Sequence, residues 1–136
     1  MQIASKLISI MSKLVILSST LITFALIFYS IGVWSERIKR YLKQWHVVTF
    51  WIGFTFDVSG TYLMHLIATR PFSLSDFHTL TGQIALWLML FHAIWATRVI
   101  IKKDEIIRLN FHKFSIFVWL IWLIPYFGGM YLGMAK

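Results

Sequence analysis

The chain has 136 residues, of which 59% are apolar and 18% aromatic, and its mean hydropathy is +0.75. That excludes an ordinary soluble domain and leaves room for only a few membrane crossings. The lack of cysteine removes disulfides, thiolate zinc sites, iron–sulfur clusters and the thioether attachment of c-type haem, and the formal charge of +8 falls mostly in connections and at the ends of apolar runs, as a topology signal and not a nucleic-acid surface.

A crossing of the roughly 30 Å acyl core takes about 20 mainly apolar residues. Four stretches qualify, at 14–34, 45–68, 77–101 and 114–131. Lipid cannot satisfy exposed backbone groups, so the spans are predicted to be helices, and short connections make neighbours antiparallel. The predicted fold is all-α, a single integral membrane domain over 1–136 built as a four-helix up-and-down bundle.

The start, MQIASKLISIMSK, places Lys6 and Lys13 ahead of an apolar run in the manner of a secretory signal. The run is too long for one and no small-x-small site precedes Trp34, so the reading is an uncleaved first span. In the second span His46, Gly53, Asp57, Gly60 and Met64 recur every three or four residues and share a face. In the third, His78, Gly82, Ala85, Met89, His92 and Ala96 do the same. Membrane helices pack through small and polar residues, so these stripes are predicted to line the interior. The fourth span continues with His112, Ile116, Trp119, Leu123, Tyr126 and Met130, while His65 lies one residue off its stripe.

Nine basic residues, Arg37, Lys39, Arg40, Lys43, Arg98, Lys102, Lys103, Arg108 and Lys113, fall beside the connections after spans one and three. Four, Lys6, Lys13, Arg70 and Lys136, fall on the other side, so the positive-inside rule puts those two connections in the cytoplasm and both termini outside.

Reflecting the helices through their loops at about 1.5 Å per residue brings His46 and His112 to one depth near the cytoplasmic face, with His92 roughly two turns deeper. Spans two and four are diagonal, and a diagonal pair of imidazoles leaves room for a planar macrocycle with iron at its centre. By this geometry His46 with His112 is the best ligand pair and His92 the buried third. His78 and His92, fourteen apart, also match the ligand spacing of two-haem b-type cytochromes, though the outer partner would have to be His65 or Met64.

Asp57 is costly near mid-bilayer, at about 2.5–3.5 kcal/mol on insertion scales. It reads either as an acceptor for the second ring N–H of His92 or as a structural hydrogen-bonding group with Ser59, Thr61 or Thr81. The basic loops would suit haem carboxylates through Arg37, Arg40, Lys43, Lys102 or Lys113. No peptidase, nucleotide-binding or hydrolase motif is present.

The runs FYSIGVWSE (28–36), WHVVTFWIGFTFDVSGTYLM (45–64), HTLTG (78–82), LMLFHAIWA (88–96) and NFHKFSIFVWLIWLIPY (110–126) resemble the HsmA-type small haem-binding membrane proteins of bacteria. The resemblance implies a four-span protein that binds haem and protects against haem and oxidative toxicity, and the sequence is read as that of a non-enzymatic protein holding haem b without covalent attachment. It carries His46, Asp57, His78, His92 and His112 over as candidates, while His65 departs from the pattern. The expected partners are haem and the lipid bilayer, with no nucleic acid, and a homo-oligomer stays open. The alternatives are a b-type cytochrome exchanging electrons with quinone and a cofactor-free helical interaction protein.

Overall fold

The computed structural model describes residues 2–67 and 77–134, apart from the side chains of 67, 77, 78, 130 and 132–134. Four helices follow in order, α1 Gln2–Lys39, α2 Gln44–Ile67, α3 Phe77–Lys102 and α4 Glu105–Met134. Each is long and apolar enough to cross a membrane. Neighbours in sequence pack side by side and α1 packs on α4, so α2 and α4 are diagonal, as are α1 and α3.

The connections after α1 and α3 are short because their helices stop sharply. Arg40 sits at φ 54° and its N–H reaches the Glu36 carbonyl at 2.7 Å, a left-handed cap on α1. Lys103, also at φ 54°, ends α3 through a Schellman pair, Lys103 N–H to Ile100 O and Asp104 N–H to Val99 O. Asp104 then caps α4 by accepting from the Ile107 N–H. That cap is why α4 begins at Glu105, nine residues ahead of the apolar run expected at Phe114. A different device starts α2. His46, in its first turn, turns Nδ1 back to the Lys43 N–H at 2.9 Å, half of a capping box.

The two connections also hold each other. Leu42 N–H donates to the Arg108 carbonyl, Arg108 Nε donates to the Leu42 carbonyl, both at 3.0 Å, and Tyr41 donates to Glu105 beneath the Arg108 guanidinium.

The interior has two layers. Val33, Leu42, Val47, Phe50, Ala93, Ala96, Val99 and Phe111 form the one near these connections. Ala25, Tyr29, Ala85, Met89, Val118 and Trp122 form the deeper one. α1 and α2 approach closely through glycines: a Cβ on Gly32 would lie 2.5 Å from Thr49 Oγ1 and 2.6 Å from Phe50, and one on Gly53 would meet Tyr29 at 2.7 Å. Gly82 has nothing within 4 Å. Gly32→Ala is therefore expected to cost about 1–3 kcal/mol by overpacking. Gly82→Ala is expected to be neutral or stabilising by up to about 1 kcal/mol. Thermal unfolding in detergent separates the two, and equal melting temperatures would contradict the packing described.

On α3 the predicted stripe is buried from Ala85 through Met89 and His92 to Ala96, while Gly82 is only half-buried. On α2, Met64 is 39% exposed, so the interior stripe ends at Gly60 and Met64 is not an interior ligand. On α4 the buried set is Phe111, His112, Ser115, Val118 and Trp122, a stripe rotated from the predicted one, with Ile116, Trp119, Leu123 and Tyr126 at its edge. The helix α1 outruns the predicted first span at both ends, and its first buried residue is Ser18. The outer connection with Arg70, together with Lys136 and the side chains of His78 and Met130, lies outside the described residues.

Candidate functional site

Three of the predicted histidines are buried: His46 at 0%, His92 at 1% and His112 at 4% exposure. His92 lies against Phe50, one turn from His46, and against Phe111 and Phe114, which flank His112. It is thus about one turn deeper than the other two, not two turns, because the turn between α3 and α4 falls at Lys103–Asp104 and sets Ser115, one turn from His112, beside His92. The predicted gathering of three helices' histidines in one region is present, but no three His, Asp or Glu side chains among the described residues converge to hold a bare metal ion.

What each imidazole offers follows from its bonds. An N–H can only donate, so the Lys43 N–H makes His46 Nδ1 an acceptor and puts the neutral ring's proton on Nε2. Arg37 Nη1 is 2.9 Å from His112 Nδ1 and an arginine has no acceptor, so His112 is arranged alike. His92 is different. Its Nε2 is 2.8 Å from Ser115 Oγ, and Ser115 donates its single proton to Glu36 Oε1 at 2.6 Å. The Ser115 oxygen therefore accepts from His92 Nε2–H, which leaves Nδ1 as an unprotonated lone pair.

Glu36 is fully buried, as is Ser115. Three buried polar atoms near this level have no partner among the described residues: His92 Nδ1, His46 Nε2 and Glu36 Oε2. Each such atom left without a partner in an apolar interior costs about 1–3 kcal/mol. A purely structural network would not be expected to leave all three open.

Asp57 does not serve His92. Its Oδ2 accepts from Tyr29 Oη at 3.0 Å and from Trp122 Nε1 at 2.9 Å, and its Oδ1 from Thr61 at 3.5 Å. These partners belong to the deeper layer with Met89, at the predicted depth but facing α1 and α4. Asp57 is a structural hub for three helices, and Thr61 is the one of its three predicted structural partners found here. His65 and Met64 are exposed.

Glu36 and Ser115 were not singled out by the sequence pattern. Glu36 follows Ala25, Tyr29, Gly32 and Val33 on one helical face, which is the signal that points to it. Ending the span at Trp34 assigned it to the basic connection instead.

No protein family, curated protein or solved structure matched the chain.

The donor set can be tested against an iron porphyrin on these bonds. His92 presents a nitrogen without a partner among the described residues, with a hydroxyl and a carboxyl behind its other nitrogen, an arrangement that would orient a metal-bound imidazole. For His46 to offer Nε2, the bond from the Lys43 N–H must be given up, at about 0.5–1.5 kcal/mol. For His112 the charged Arg37 bond must go, at about 1.5–3 kcal/mol. By these bonds the candidate nitrogens rank in the order His92, His46, His112, and His92 is packed against Phe50, Phe111 and Phe114.

Proposed function

We propose that this chain is an integral membrane protein that binds haem b without covalent attachment and sequesters it, protecting the bacterial cell from haem and oxidative toxicity. The observation that carries the reading is His92 Nδ1, buried, unprotonated and without a partner among the described residues, on an imidazole held by Ser115 and Glu36. His92 is the first ligand and His46 the second, with His112 held in reserve by Arg37. When bound, haem would supply a redox-active iron, and His92 and His46 would be the residues that hold it. The protein's part is then to hold and shield, and no enzymatic activity is assigned.

The basic side chains Arg37, Arg40, Lys43, Lys102 and Lys113 would suit the carboxylates of haem. The charge asymmetry supports a location in the bacterial cytoplasmic membrane, with residues 40–43 and 103–104 in the cytoplasm and both termini outside.

The test is haem content by pyridine haemochromogen, with absorption spectra, on wild type and on His46→Ala, His92→Ala and His112→Ala purified from haem-replete cells. His92→Ala is expected to lose more than tenfold in haem affinity, above or at the upper end of what an outer-shell change costs. His112→Ala is expected to lose least. Wild type without a Soret band, or His92→Ala with unaltered haem content and spectrum, would refute the proposal.

A further inference from the structure

A groove of about 380 Å³ runs between α3 and α4 and changes character along its length. Phe91, Ile94 and Trp95 line one end, Arg98 and Lys102 the other, and α4 contributes Ile107. Phe91 and Ile94 are 55% and 45% exposed, so the groove opens toward lipid and away from the bundle interior. From Phe91 to Lys102 the helix rises roughly 16 Å. One groove therefore reaches from the basic end of α3, beside the connection to α4, well into the apolar part of the span.

Two observations set it apart from a plain gap between helices. The first is that neither Arg98 nor Lys102 has an ion pair among the described residues, although two acids stand close by in the chain. Asp104, which also borders the groove, is occupied in capping α4 through the Ile107 N–H. Glu105 is taken by Arg108 and Tyr41. Arg98 and Lys102 are exposed and one turn apart on α3, so two uncompensated positive charges share one place at the membrane surface.

The second observation is Trp95. Trp51, Trp119 and Trp122 give their ring N–H groups to Thr97, Ser30 and Asp57. Trp95 is half-buried like Trp51 and Trp119, yet its ring N–H has no partner among the described residues. Packing on Phe111 and Phe114, at 5.4 and 5.0 Å between ring centres, fixes the ring. It lies about one turn below Arg98, where an indole combines apolar contact with a donor that seeks an acceptor.

We infer that this groove is a binding site for one anionic phospholipid. Its phosphate meets Arg98 and Lys102, an ester carbonyl accepts from the Trp95 N–H, and an acyl chain lies along Phe91 and Ile94. The groove offers these three surfaces in the same order along α3 as the lipid carries their counterparts. A zwitterionic lipid brings a cation of its own to Arg98 and Lys102. A free phosphate leaves the apolar end unused, and a second copy of this chain, itself at +8, sets like charge against like. Because the lipid rests on Trp95, which packs on Phe111 and Phe114, its binding also stabilises the α3–α4 seam by mass action.

The test uses full-length protein in a neutral detergent, without added haem. Phosphatidylglycerol and phosphatidylcholine with identical acyl chains are titrated in, bound lipid is counted by native mass spectrometry, and far-UV circular dichroism confirms folding. Wild type is expected to bind phosphatidylglycerol about tenfold or more tightly than phosphatidylcholine, and inorganic phosphate is expected not to displace it. Arg98→Gln with Lys102→Gln is expected to bring the two lipids within about threefold of each other. Trp95→Phe keeps an aromatic wall and is expected to weaken both lipids alike while the preference survives. Lys13→Gln with Lys39→Gln removes two exposed cations from α1, away from the groove, and is expected to match wild type.

Equal affinity of wild type for the two lipids would overturn the inference, as would a preference that persists without Arg98 and Lys102. An equal loss in the Lys13 and Lys39 variant would overturn it as an effect of net charge. Displacement by inorganic phosphate would reduce the site to a bare anion contact, and unchanged affinities in Trp95→Phe would remove the lipid from this groove. The haem reading stands or falls separately, since none of these outcomes depends on haem.

Discussion

Asp57→Ala is expected to be the most destabilising single substitution in the bundle, lowering stability by about 2–6 kcal/mol. The substitution leaves Tyr29 Oη and Trp122 Nε1 without the oxygen both now share, and each stranded donor costs about 1–3 kcal/mol. Interhelical hydrogen bonds in membranes average only about 0.6 kcal/mol, because the separated helices find other partners. Asp57 departs from that average for a geometric reason. Its donors come from α1 and α4 as well as from its own helix, and Tyr29 and Trp122 are 1% and 4% exposed and meet edge to face at 5.2 Å, so neither ring can turn away without opening the deeper layer. Asp57→Asn retains an oxygen for both donors and is expected to lose far less, about 1 kcal/mol. Equilibrium unfolding in mixed detergent micelles measures both variants, and an alanine variant as stable as the asparagine one would sink the hub interpretation.

Ser115→Ala is expected to follow closely, at about 2–5 kcal/mol, and for a separable reason. Removing one hydroxyl strips Glu36 of its one hydrogen bond among the described residues and His92 of its acceptor, so two buried polar groups are stranded at once. Replacing both members of a buried polar pair with apolar groups costs much less than removing one. The double variant Glu36→Leu with Ser115→Ala is therefore expected to recover about half or more of the loss. Additive losses in that double-mutant cycle would mean that Glu36 and Ser115 are not energetically coupled.

The contrast between these sites shows what the sequence could and could not convey. Hydropathy length located the four helices, and small-residue faces pointed His46, His92 and His112 inward, because burial of a stripe is a property of one helix. Hydrogen-bond partners belong to pairs of helices. Whether Asp57 meets His92 or Trp122 depends on how α2 is rotated against α3 and α4, and no spacing within α2 contains that angle. The rotated α4 face has the same origin, since Ser115 reads as an ordinary polar residue until Glu36 is placed across from it. The start of α4 escaped notice because a polar first turn, capped by Asp104, continues into the apolar run without a break.

The buried Glu36 has a bearing on how the chain is made. Its partner Ser115 lies 79 residues later, so during synthesis α1 carries an acid that the bilayer disfavours and that nothing yet synthesised can satisfy. Only the arrival of α4 settles it. A chain that stops before α4 thus leaves on α1 an acid that only the complete bundle buries and bonds.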